Sequence, residues 1–201
     1  KPRSNGDGEW TAVYTYTTED GKPVLQVRRT ADKRFVAYVP DGAHHWKTGP
    51  GVTRGIERPL YRLPEVLHST GRVYFTEGEK DADNLAARGL TATCNPFGAL
   101  TGKGGKGWSR AWERALQGRD VVVLQDNDAA GAAHVRTVAQ GLQGVARSVR
   151  VLLLPGLPPG GDVSDWLLTH TIAELEALAN GAPTWEGTTN TTALENLRVS
   201  W

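Results

Sequence analysis

The chain has 201 residues, enough for one domain of ordinary size or one domain with a small appendage. Hydrophobic residues make up 39% and charged residues 22%, which suits a buried core, and 23 Lys+Arg against 22 Asp+Glu leave a net charge of +1. That balance excludes a histone-like polyanion binder, the single cysteine excludes a disulfide scaffold or a cysteine zinc cluster, and no apolar run approaches the ~18 residues of a membrane span.

Residues 1–9 are polar and read as a flexible tail. The stretches 10–17, 24–29 and 34–39 are rich in aromatic and β-branched residues and predict a small antiparallel meander, with the first turn at Asp20-Gly21. Residues 40–59 read as a loop that closes this β subdomain, and 60–67 as a short helix with Pro64 in its first turn. Beyond it the pattern alternates. Strands are expected at 72–76, 90–94, 121–124 and 149–154. Helices are expected at 79–88, 108–116, 129–142 and 164–168, and from the capping box at Thr171 to Asn180. The fold expected is α/β: about four mostly parallel strands flanked by helices over 60–181, preceded by the antiparallel β subdomain over 10–59. Residues 182–201 read as a linker or the start of a further domain.

Three acidic signals fall just past strand ends. They are Glu77-Gly78, Asp126-Asn127-Asp128, and Asp162-Val163-Ser164-Asp165. In a parallel sheet the carboxyl ends of the strands share one edge, so residues distant in sequence converge there. Asp126 and Asp128, two apart in extended chain, lie roughly 7 Å apart at Cα and can face one way. Oxygen ligands without His or Cys favour Mg²⁺ or Mn²⁺. Each acid taken singly also reads as a helix cap, Asp165 above all. Gly78, with no side chain, suits a sharp turn and the approach of a phosphate.

The strand Val73–Thr76 followed by Glu77-Gly78-x-x-Asp81, and the strand Val121–Leu124 followed by Asp126-x-Asp128-x-x-Gly131, resemble the two main motifs of the TOPRIM domain of primases, topoisomerases and related nucleases. The segment from Gly161 to Trp166 is similar to the third acidic segment of primases, where Asp-Pro-Asp is the commoner form, so the ligand there is Asp162 or Asp165. The stretch from Leu60 to Glu65 resembles what precedes this domain in primases of phages and mobile elements. The resemblance covers about residues 60–180. It implies a primase catalytic fragment, or a primase-helicase fragment, that makes RNA primers on single-stranded DNA from ribonucleoside triphosphates by metal-dependent nucleotidyl transfer. Glu77, Asp126, Asp128 and Asp162 or Asp165 would hold Mg²⁺ or Mn²⁺. Glu77 would be a ligand or a general base, Lys80 would neutralise phosphate charge, and Asp81 would tune the site or bind a further metal. A helicase, as a domain or a separate protein, is the implied partner in DNA replication. Two rivals stand: a TOPRIM nuclease, and a non-catalytic single-stranded DNA-binding module.

Arg28, Arg29, Lys33 and Arg34, set among Phe35, Tyr38 and Trp46, suggest a nucleic-acid surface, with a solvated β face as the alternative. Lys103 and Lys106, in a Gly/Lys loop that lacks P-loop spacing, are candidate phosphate contacts or part of a plain surface loop. Cys94 reads as a core residue. With no methionine at position 1 the chain reads as a piece of something longer, and with no apolar N-terminal region as a cytoplasmic protein without membrane contact.

Overall fold

The computed structural model describes residues 10–32, 34–42, 44–100 and 107–187. Strands β1 (Trp10–Thr17), β2 (Pro23–Thr30), β3 (Phe35–Pro40) and β4 (Trp46–Lys47) form an antiparallel sheet in that order. Gly21, at φ 79°, makes the β1–β2 turn, where a left-handed backbone favours glycine. The pairing sets Tyr14 opposite Val27 and Tyr16 opposite Leu25, and all four side chains are buried. β4 lies inside the stretch expected to be loop; two residues are too short for any alternation to show in sequence.

The chain continues through α1 (Leu63–His68), β5 (Val73–Phe75), α2 (Glu79–Ala86), β6 (Thr91–Thr93) and α3 (Arg110–Leu116). Then follow β7 (Asp120–Gln125), α4 (Ala129–Leu142), β8 (Ser148–Leu153), α5 (Val163–Trp166) and α6 (Ile172–Gly181). Strands β5 to β8 make a second sheet in the order β6-β5-β7-β8, and every pairing is parallel. α1 starts three residues later than expected. Arg62 sits at φ 56° ahead of it, so the helix cannot begin before Leu63.

Alternation along the parallel strands sorts the core into two layers. Tyr74, Val122, Leu124 and Leu152 face α2, α5 and α6, and they share that layer with Tyr14, Tyr16, Leu25 and Val27 of the antiparallel sheet. Phe75, Val121, Val123 and Val149 face α3 and α4 through Trp112, Leu116, Val135 and Leu142. A strand buried on both faces needs no polar positions, hence the uninterrupted run Val121–Leu124. Both edges of the parallel sheet are covered. Tyr61 N–H donates to Cys94 O (2.9 Å) beside β6. Thr184 bridges Arg150 on β8, and Trp185 N–H donates to Val149 O (2.7 Å). These last two residues lie near the start of the stretch expected to be linker, where they cover the β8 edge. Among the described residues no helix is long and apolar enough to cross a membrane.

Candidate active site

The carboxyl edge of the parallel sheet opens into a cleft of about 500 Å³. Its floor carries Glu77, Lys80, Asp81, Asp126 and Asp162; Tyr14, Arg29 and Phe35 close over it from the antiparallel sheet. The fold therefore brings together acids from three separate strand ends.

Glu77 follows β5 and is half-buried, with Oε2 enclosed and lacking a hydrogen-bond partner among the described residues. Burial, then the Asp128 and Asp81 carboxylates, raise its pKa. Gly78 departs from expectation: at φ −129° it is extended backbone that any residue adopts, so no sharp turn requires glycine here. The space above it is open, because an added Cβ would meet nothing within 4 Å. Gly78 lines the cleft, so what its missing side chain provides is access.

Asp126 follows β7. Burial comes first, then the charges of Glu77, Asp81, Asp162 and Asp128, and together they push its pKa up to about 8. Of those charges Glu77 acts most strongly on Asp126, and both carboxyls are shifted toward their protonated forms. Asp128 is the N-cap of α4, with Oδ1 accepting from Gly131 N–H at 2.7 Å. The glycine of this motif has a steric cause: a Cβ on Gly131 would sit 2.5 Å from the Asp126 carbonyl oxygen. The first turn of α4 is thus pressed against the residue that carries the acid.

Asp162 reaches the cleft from the loop after β8. It caps α5, and its Oδ2 accepts from Lys80 Nζ at 2.6 Å. Asp165 instead closes the capping box on the Asp162 backbone and does not line the cleft; neither does Asp128. Asp81 is buried and accepts a hydrogen bond from Ser164 Oγ, whose oxygen also accepts from Asn84 Nδ2 (2.6 Å). Burial, opposed by the Ser164 hydrogen bond and reinforced by Asp162, leaves the Asp81 pKa at about 6.

Nothing in the sequence assigns Asn127 a role of its own. Its backbone N–H donates to Gly161 O (2.9 Å), its carbonyl accepts from Gly160 N–H (2.8 Å), and Nδ2 donates to Leu157 O (2.8 Å) and Pro158 O (3.1 Å). Asn127 thereby ties the Pro/Gly loop to the end of β7 and sets Asp162 beside Asp126. The signal available was the loop composition: prolines leave carbonyls in excess of N–H groups, and an amide side chain supplies donors.

The basic residues divide by strand alternation. Arg29 enters the cleft. Its neighbour Arg28 points to the other face, with its guanidinium 3.8 Å from the Tyr38 ring centroid and hydrogen-bonded to Gln26 Oε1 (2.8 Å). Arg34 is exposed and paired with Asp32 at 2.8 Å. Lys33, Lys103 and Lys106 lie outside the described residues. Cys94 is fully buried.

Among the described residues, no three His, Cys, Asp or Glu side chains stand together as a ready cage for a metal ion. The donor chemistry nevertheless fits a hard cation. The set is all oxygen, one oxygen of Glu77 is buried without a partner, and Mg²⁺ is commonly held by only one or two carboxylates together with waters and substrate phosphates.

No family model matches the sequence, and no curated protein matches it. Solved structures do. The zinc-binding and RNA polymerase domains of the Aquifex aeolicus primase align with a TM-score of 0.63 at 22% identity, over 92% of this chain and 43% of that one. The DnaG catalytic core aligns at 0.60 and 19% identity, over 92% and 56%. The fold is that of primase catalytic fragments. The primase fragment of the bacteriophage T7 primase-helicase aligns at 0.54 and 22%, over 83% of this chain and 60% of that one. The chain thus spans about half the length of the primase fragments it matches first.

Proposed function

We propose that the chain is the catalytic TOPRIM part of a DNA primase of phage or mobile-element type, a metal-dependent nucleotidyltransferase that makes RNA primers on single-stranded DNA. The observation that carries this reading is the convergence of Glu77, Asp81, Asp126 and Asp162 on one cleft, with a buried, unpartnered oxygen on Glu77. Burial and then the charges of neighbouring acids hold Asp126 protonated up to about pH 8, and a divalent cation would offset the repulsion among those acids. Glu77 and Asp126 would hold Mg²⁺ or Mn²⁺, with Asp162 nearby and Asp128 and Asp165 serving as caps. A cation held there would supply positive charge against the charge that develops at an α-phosphate under attack by a 3′-hydroxyl. Glu77 would hold the metal or accept the hydroxyl proton. Lys80, held by Asp162, presents its ammonium to phosphate oxygens, and Arg29 supplies a second positive charge from above. Ribonucleoside triphosphates, single-stranded DNA and a helicase, as a domain or a protein, are the partners this reading implies.

The test is incubation with Mg²⁺ or Mn²⁺, labelled ribonucleotides and single-stranded DNA. Extension products are expected. Glu77→Gln should lower their rate by about 10²-fold or more, the scale of a lost general base, while DNA binding stays unchanged. Shortened DNA would instead identify a nuclease, and binding without either product a passive module. A Glu77→Gln protein that extends primers normally removes Glu77 from the mechanism.

A further inference from the structure

We propose that Phe97 and Phe35 form a stacking site for a nucleobase at the mouth of the acidic cleft; the proposal rests on the primase reading above. Among the described residues the exposed large apolar side chains are Val13, Phe35, Leu67, Phe97 and Leu168. Two of them are aromatic, and both line this cleft. They reach it from different sheets: Phe35 opens β3, and Phe97 follows β6. Phe35 is 54% exposed and Phe97 42%, so both rings keep open surface. Each has a guanidinium over its ring, Arg29 at 5.7 Å from the Phe35 centroid and Arg58 at 5.8 Å from that of Phe97. A ring with a cation over one face and open surface elsewhere suits a base that carries phosphate.

The backbone at Phe97 strengthens the assignment. Phe97 has φ 73°, a left-handed conformation that costs energy for a bulky residue and that glycine or asparagine adopts more readily. A buried side chain enforces it. Asn95 is fully buried, and its Nδ2 donates to Pro96 O (3.2 Å) and Gly98 O (2.8 Å), bracketing Phe97. The structure therefore holds an exposed phenyl ring, at a cost in strain, over the cleft that carries the acids. Strain enforced by its surroundings and coupled to an exposed ring in a cleft marks a ligand contact. An aromatic ring recognises a base through its π-face whatever its sequence, so the shared chemistry is a nucleobase, supplied either by a nucleoside triphosphate or by a single-stranded template.

Two variants remove the rings: Phe97→Asn, whose new residue suits the left-handed backbone, and Phe35→Ala. Phe97→Trp keeps a stacking surface. Affinities are measured in Mg²⁺ for ATP, inorganic triphosphate, a single-stranded DNA oligomer and the same oligomer with abasic sites. Both ring-removing variants should weaken a base-bearing probe by about 5- to 100-fold, the range measured for base–aromatic stacking. They should leave the base-free probes unchanged, and Phe97→Trp should retain binding. Loss on ATP alone assigns the site to the nucleotide; loss on intact DNA alone assigns it to the template. Unchanged affinities, or equal losses for base-bearing and base-free probes, overturn the stacking site and leave the primase reading intact. A wild-type protein that binds none of the four probes overturns both.

Discussion

Asp126 shows how one residue's surroundings become a measurable property. Its carboxyl holds a proton up to about pH 8 because burial and four neighbouring acids disfavour its charge. A group with a raised folded-state pKa binds its proton more tightly folded than unfolded. The stability this proton contributes is full below the ordinary carboxylate value of about 3.8 and is lost as pH rises through 8. Asp81, with a pKa of about 6, acts in the same direction over the lower part of that window. Asp120, held at about 2 chiefly by its Arg147 hydrogen bond, acts oppositely but below pH 4. The melting temperature in EDTA should therefore fall between about pH 4 and 8. Asp126→Asn should flatten the fall above pH 6 and melt higher than wild type at pH 8. Mg²⁺ or Mn²⁺ should raise the wild-type melting temperature at pH 8 and hardly move the variant. A variant that keeps the full decline, or the full metal response, would place the proton or the metal elsewhere.

At the scale of elements, the turn between β7 and α4 positions the acids through steric contact as much as through charge. Gly131 lies against the Asp126 carbonyl, and that oxygen also accepts the Asp128 N–H at 2.8 Å. Backbone atoms on both sides cannot yield cheaply. Gly131→Ala should destabilise the fold by about 1–3 kcal/mol in denaturant unfolding, the usual cost of overpacking, and should displace Asp126. Gly78→Ala is the contrast. Its backbone is extended and its surroundings empty, so stability should change by no more than about 0.5 kcal/mol, although the methyl enters the cleft. Equal losses from the two substitutions would contradict the steric account. Two motif glycines that look alike in sequence thus serve different ends: one admits a helix, the other leaves the cleft open.

Across the whole molecule, the two sheets share one apolar layer and are tied by polar contacts at its rim. Tyr16 of β1 donates to the buried Glu79 of α2 at 2.6 Å. Tyr61 donates to Asp83 at 3.1 Å, and Arg62 pairs with the same carboxylate. These contacts place the antiparallel sheet, with Arg29 and Phe35, over the acids of the parallel one. Both sheets should unfold in a single transition. Tyr16→Phe should lower stability by about 1–3 kcal/mol, because the buried Glu79 carboxylate loses its donor. In a double-mutant cycle with Glu79→Gln the losses should fall short of additive by 0.5 kcal/mol or more. Additive losses, or two separate transitions, would mean that the sheets are energetically independent.

Much of the parallel sheet was legible because each of its signals is local. The run Val121–Leu124 declares a strand covered on both faces, and Glu77-Gly78 and Asp126-x-Asp128 mark its carboxyl edge whatever surrounds them. The same locality hid what depends on contacts distant in sequence. Asp165 reads more readily than Asp162 as a helix cap, yet in the chain alone either could be the ligand. Only the packing of α5 against α2 gives one to Lys80 and the cleft and the other to a backbone N–H. Arg28 and Arg29 are equal candidates by sequence, and strand pairing sets them on opposite faces of the antiparallel sheet. Asn127, a plain loop residue by composition, positions Asp162 through a loop some thirty residues away. Residue chemistry and short-range periodicity reside in the sequence itself. Which of two similar groups meets a third is decided by packing, because the energy that separates the choices arises only when distant segments touch.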